Sequence, residues 1–229
     1  KMCFAKMKSE VSISSSVYWL LIGRFAQVLI QLVGIAILAR LLGPEEFAII
    51  ALSGVVIALV QIFAEMGIPS ALIQKENLQQ RHKNAAFWFN LGISIVIALL
   101  LVLISPVVAK LLSSDKVESI LRLLAISFPI SALASVHFAL LERESKFDIL
   151  ATRMATSSFI GLIVASILAS KGYGVNSLAF QSLASSATLT LLVWKAHKWS
   201  PDKLSINGLG EIVRVSADVF IFNLVNYFH

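Results

Sequence analysis

The chain has 229 residues, of which 58% are hydrophobic and only 14% charged. An ordinary soluble domain carries roughly 25% charged residues, and so few cannot cover a water-facing surface, which excludes a soluble enzyme and a disordered chain. The formal charge of +6 does not point to nucleic acid, because the basic residues are scattered between apolar runs instead of gathered on one face.

Six apolar runs are complete and a seventh begins. They cover about Val17 to Leu42, Phe47 to Ile73, Ala85 to Leu112, Val117 to Leu141, Leu150 to Ser170 and Val175 to Trp194, and the seventh opens near Leu209. A bilayer core needs about 20 helical residues, and each complete run supplies them. Barrel strands would alternate in polarity over about ten residues, and nothing here alternates. The fold expected is all-α: a cytoplasmic tail (1–16), a lobe of six transmembrane helices (17–206) and the start of a seventh (207–229).

The separators carry turn chemistry. Gly43-Pro44 closes the first span, and Glu45-Glu46 stands where a new helix N-terminus favours acid. Gly67-Ile68-Pro69 breaks or kinks the second span near its end, and Gly172-Tyr173-Gly174 makes a tight hairpin between the fifth and sixth. The linkers are too short for an extramembrane domain. The one cysteine, Cys3, excludes a disulfide framework and a cysteine-based metal site. A cleaved signal peptide is not expected, since the first run is about 23 residues against the 7–15 of a signal core. The chain starts at Lys1 and stops at His229 inside an apolar stretch, so it is expected to be one part of something longer.

Basic residues in short loops orient a membrane protein. The tail, the second, fourth and sixth loops carry twelve Lys and Arg, and the opposite loops carry five. That places the N-terminus in the cytoplasm, most simply across a bacterial inner membrane.

Polar residues inside apolar spans mark function by default. Arg24, Gln27 and Gln31 share one face of the first helix. Two roles are open to Arg24: lining a polar cavity, or snorkelling back to the headgroups. Glu65 lies eighteen residues, or roughly 27 Å, along the second span, at a depth where it could meet Arg24, and Gln61 stands one turn before it. Ser127, Ser131 and Ser135 recur every four residues in the fourth span, Asn90 and Ser94 in the third, and Gln181, Ser185 and Thr188 along the sixth. Small hydroxyl residues at such spacing read as close helix packing. His137 reads as structural, and Asp218 as a partner for Arg214 one turn earlier. There is no phosphate-binding glycine loop and no metal-ligand cluster. The external loops are too short for catalytic machinery, so no enzyme and no cofactor are expected.

Five segments read together resemble the Wzx-type oligosaccharide flippases of the multidrug/oligosaccharidyl-lipid/polysaccharide exporter superfamily. They are LARLLGPEEFAIIAL (Leu38 to Leu52), AEMGIPSALIQ (Ala64 to Gln74), NAAFWFNL (Asn84 to Leu91), FALLERESKF (Phe138 to Phe147) and NLVNYF (Asn223 to Phe228). The resemblance implies about 12 to 14 spans in two lobes, of which this chain supplies the first and the start of the second. It implies movement of undecaprenyl-pyrophosphate-linked oligosaccharide from the cytoplasmic to the periplasmic leaflet by alternating access, coupled to an ion gradient. Partners implied are the lipid-linked oligosaccharide, the bilayer, and the polysaccharide polymerase and chain-length machinery. Arg24 fits a cationic cavity receiving the pyrophosphate, and Gln27, Gln31, Gln61, Glu65, Asn90, Asn223 and Asn226 complete the candidate lining. Two rivals are a multidrug/cation antiporter of the same superfamily, which should show more cavity acid than base, and a non-transporting assembly subunit, which should lack in-membrane charge.

Overall fold

A computed structural model describes residues 2–65, 68–202, 208–211 and 213, with the side chains of 2–17, 20, 44, 47 and 62–65 outside the description. The described residues are helical with short turns. In chain order the helices are α1 (Met2–Glu65), α2 (Ile68–Gln74), α3 (Gln80–Leu111), α4 (Asp115–Arg143), α5 (Phe147–Ser170) and α6 (Asn176–Ala196). Five of the helical stretches are long and apolar enough to cross a membrane: Leu21–Gly43, α3, α4, α5 and α6. Ala48–Gln61 is a shorter apolar helix that follows them in kind. The chain is a multi-pass, all-α membrane protein.

Helix α1 is two arms joined at Gly43, whose backbone sits at φ 72°, ψ 167°. An L side chain rarely adopts that conformation, so glycine at this corner permits the reversal. Pro44 follows, with no N–H to continue the first arm and a fixed φ suited to opening the second. The helix is continuous from Met2 to the corner at Gly43. No Gly or Pro occurs between Met2 and Ile22 to stop it. The second span is helical as far as Glu65, and α2 begins at Ile68, beside the Gly67-Ile68-Pro69 segment expected to break or kink it. Helix α4 opens with Asp115 and Glu118 in its first turn, where the helix dipole favours acid.

Alanine is prominent in the core beside larger side chains such as Leu121, Val136 and Leu141, while many other large residues face outward. Ala85, Ala86, Ala109, Ala125, Ala132, Ala139 and Ala165 are buried, whereas Leu103 is 71% and Leu111 82% exposed. Lipid tails are as apolar as leucine, so nothing drives large side chains inward, and close backbone approach is the better use of the interior. The first arm packs on α5, with Leu38 against Ala165 and Ala169. A β-carbon added to Gly23 would overlap Ala151, and one on Gly34 would press on Leu162. The second arm packs instead on α3 and α4, where Val56, Ile57 and Val60 meet a cluster around Leu101, Leu121 and Phe128. Helix α6 is locked to α4 by side chains that seek backbone carbonyls. Thr190 shares its hydroxyl proton between Ile130 O (2.9 Å) and Ser186 O (2.8 Å), and Trp194 Nε1 donates to Leu133 O at 2.8 Å.

The turns gather at two ends. Lys116 Nζ meets Glu46 at 2.7 Å, Glu46 lies against Gly174, and Ser119 donates to Asn176 at 3.1 Å. At the opposite end Arg143 donates to the carbonyls of Leu72, Ile73, Lys75 and Glu76 at 2.6–3.0 Å, closing the C-terminus of α2. Segment 197–202 is strapped down beside it. Trp199 Nε1 donates to Gln80 (2.8 Å), His137 Nε2 donates to Trp199 O (2.9 Å), and Asp202 N donates to Asn84 Oδ1 (2.9 Å).

Candidate functional site

Two hollows lie side by side within the bundle. One, about 250 Å³, is walled by Gln27 of the first arm, Ser157 and Ser158 of α5, and Ser185 of α6. The other, about 300 Å³, is walled by Gln61 of the second arm, Pro69 of α2, Asn90 and Ser94 of α3, and Ser182 of α6. Ser131 and Ser135 of α4 and Ser186 of α6 line both, so the hollows meet along these three side chains. Among the described residues, no Asp, Glu, Lys or Arg lines either one.

Five of the nine serines that line the hollows spend their hydroxyl protons within the protein. Ser127 donates to Leu124 O (2.6 Å), Ser135 to Ala132 O (2.8 Å), Ser157 to Met154 O (2.9 Å) and Ser94 to Leu91 O (2.8 Å). In a helix this back-bonding satisfies the proton while the oxygen stays outward. Asn90 Nδ2 donates to Ser135 Oγ at 2.7 Å, and Ser131 to Ser186 at 3.4 Å. The oxygens therefore present lone pairs to the hollows, in a setting that is polar but uncharged.

Of the residues singled out in the sequence, Gln27 lines the first hollow and Gln61 and Asn90 the second. Arg24 and Gln31 are exposed and line neither. Arg24 precedes Gln27 by less than one turn, about 4.5 Å along the arm. The side chain of Glu65 lies outside the described residues, as do Arg214, Asp218, Asn223 and Asn226. The α4 serines, read as a close-packing stripe, do meet neighbouring helices, with Ser135 accepting from Asn90 of α3 and Ser131 bonding Ser186 of α6, and they border the hollows as well. Closer packing by a small residue occurs at Gly161, where an added β-carbon would overlap the Ser185 hydroxyl. Sequence reasoning missed Ser157, Ser158, Ser182 and Ser186 as lining; the one available signal was the density of serine on α5 and α6. His137 is fully buried and stacks on Trp194 with ring centroids 4.6 Å apart, so its place is structural.

The turn end that holds the strap is charged. A third hollow there, about 580 Å³, has Glu76, Lys83, Arg143 and Glu144 on its rim. Lys146 Nζ meets Glu144 at 2.6 Å and His197 Nε2 meets it at 3.2 Å, and the hydrogen bond from Lys146 holds this carboxyl below its ordinary range. Lys75 Nζ meets Glu211 across 2.7 Å. Among the described residues no group of three or more His, Cys, Asp or Glu comes together that could hold a metal ion.

Comparison with known proteins decides the family. The family described as polysaccharide biosynthesis protein matches residues 37–229. The chain belongs to that family. It is 26% identical over 190 residues to the succinoglycan biosynthesis transport protein ExoT of Rhizobium meliloti, covering 83% of this chain and 38% of that protein. It is 26% identical to the lipopolysaccharide biosynthesis protein WzxC of Escherichia coli, over 78% of this chain and 35% of the relative. It is 24% identical to the teichuronic acid biosynthesis protein TuaB of Bacillus subtilis, over 93% of this chain and 45% of the relative. The chain thus spans between a third and a half of the length of these curated relatives. No solved structure matches it significantly. Two of the segments that carry the resemblance touch each other: Arg143, in FALLERESKF, caps the helix formed by the end of AEMGIPSALIQ. A third, NAAFWFNL, supplies Asn84 and Trp88, which hold Asp202 of the strap.

Proposed function

We propose that the protein is the first lobe of a flippase that carries a lipid-linked oligosaccharide from the cytoplasmic to the periplasmic leaflet of a bacterial inner membrane. The observation that carries this reading is the pair of uncharged polar hollows inside an apolar bundle, in a member of the polysaccharide biosynthesis family. A polar interior is expensive in a membrane and is retained where something polar must pass. The names of the relatives, one of them a transport protein, support transport over catalysis. Among the described residues the hollows carry no acidic side chain, which favours this substrate over the exported cations of a drug antiporter. Alternating access would rock this lobe against a second one around the substrate, driven by an ion gradient. The twelve-to-five bias of basic residues supports a cytoplasmic N-terminus. Arg24, on the arm that supplies Gln27, is placed to meet the pyrophosphate as it enters, since a guanidinium grips phosphate oxygens in pairs.

The test is reconstitution of the complete transporter in proteoliposomes with fluorescent undecaprenyl-pyrophosphate-linked oligosaccharide. Protein-dependent loss of the label to a membrane-impermeant quencher is expected. Leaflet exchange no faster than in empty vesicles, from a correctly inserted protein, would overturn the flippase reading.

A further inference from the structure

We propose that the paired hollows form a saccharide site, which takes the neutral glycan units of the substrate and leaves the phosphate outside. The inference rests on the flippase reading and goes further, because it assigns one chemical part of the substrate to one place in the fold. The argument is the balance of donors and acceptors. Ser127, Ser135 and Ser157 give their protons to carbonyls of their own helices, and Ser131 gives its proton to Ser186. Those oxygens remain as acceptors, while Ser158, Ser182, Ser185 and Ser186 keep hydroxyls that can also donate, so the lining offers neutral groups of both kinds. A phosphate brings only acceptors and negative charge, and would meet no cation among the described lining residues to offset its desolvation. A sugar brings a hydroxyl donor on most of its ring carbons, and each can donate to a serine oxygen. The side-chain amide of Gln27 supplies donor and acceptor together at the wall nearest Arg24.

Size agrees with this division. Small-molecule sites occupy about 300–1,000 Å³, and hollows of about 250 and 300 Å³ suit a sugar unit or two, not a lipid chain. The lipid has the bilayer itself, against the exposed leucines of α3. Charge is thereby segregated: the cation stands on the exposed face of the first arm, and the neutral polar surface lies within.

The test is saturation-transfer NMR on the purified protein in lipid nanodiscs, with maltose, cellobiose and N,N′-diacetylchitobiose as probes and inorganic pyrophosphate as competitor. Transfer to at least one disaccharide is expected, without displacement by pyrophosphate. The double substitution Ser131→Ala/Ser186→Ala should weaken binding about tenfold, as the loss of two hydrogen-bond partners predicts. Gln27→Leu alters the wall from another helix and should weaken the same disaccharide, which keeps the test open if the double variant does not fold. Absence of transfer in the parent, undiminished transfer in a folded variant, or displacement by pyrophosphate would overturn the assignment. The two readings fail separately. A protein that flips lipid-linked oligosaccharide but binds no disaccharide in the hollows loses only this inference. One that binds disaccharide but flips nothing loses only the flippase reading.

Discussion

Arg24 is the residue on which the transport proposal presses hardest. A guanidinium in a spanning helix is unfavourable by about 2.5–3.5 kcal/mol on insertion scales, and a dianionic headgroup would offset that. Arg24→Lys keeps the charge and loses the paired grip, so it should retain part of polysaccharide export in complemented cells. Arg24→Ala should abolish export at normal expression; export at the parental rate from inserted protein would mean that Arg24 only snorkels. Glu144 is a second residue with a readable consequence. Its carboxyl, held down first by Lys146 and then by His197, ties the start of α5 to the end of α6. A folded value below the ordinary 4.5 means that its stabilising contribution is complete above that value and is lost as the pH falls through the folded one. Thermal unfolding in detergent should therefore show an acid-side loss of stability that Glu144→Gln reduces. An identical pH profile in the variant would count against the pairing.

At the level of elements, the helices are set by close approach and by side chains that reach backbone carbonyls. Gly161 is the tightest point between α5 and α6, where Ser185 and the Gln181 carbonyl occupy the space a β-carbon needs. Gly161→Val should separate the two helices and lower the thermal unfolding temperature of the purified protein by several degrees, consistent with an overpacking penalty of about 1–3 kcal/mol. Gly92, which has open space around it, should tolerate Ala and serves as the control. The hollows lie where α4 and α6 face each other with serines, side chains too small to fill the space beside them.

For the whole molecule, the two ends give the topology a direct test. The loop at 75–79, the turn at 144–146 and the strap lie at one end, and Gly43, the turn at 112–114 and Gly172–Gly174 at the other. In a Cys3→Ser background, Tyr173→Cys should react with an impermeant maleimide in intact cells, and Asn77→Cys only after permeabilisation. The reverse pattern would invert the orientation. Because alternating access needs an opposing wall, the 229 residues by themselves should move no lipid-linked oligosaccharide in proteoliposomes. Sustained flipping by this piece would refute the two-lobe requirement.

The number, order and helical character of the apolar stretches were determined by the sequence alone, because a bilayer demands long apolar runs whose backbone bonds are satisfied within each run. The corner at Gly43-Pro44 was legible for a similar reason: its chemistry is local. So was the separation of the loops into two sets, which follows from crossing the membrane at each span. Only the tertiary structure decided that the α4 serines border hollows as well as neighbouring helices, since a stripe of hydroxyls looks the same in either case. It also separated Gln27 from Arg24 and Gln31, three residues that helical periodicity puts on one face. A helical face is a wide arc, and which part of it turns inward depends on where α5 and α6 lie. The strap from His197 to Asp202 was hidden for the same reason. Its partners Gln80, Asn84 and His137 are more than fifty residues away in the chain, and periodicity carries no information about contacts at that distance.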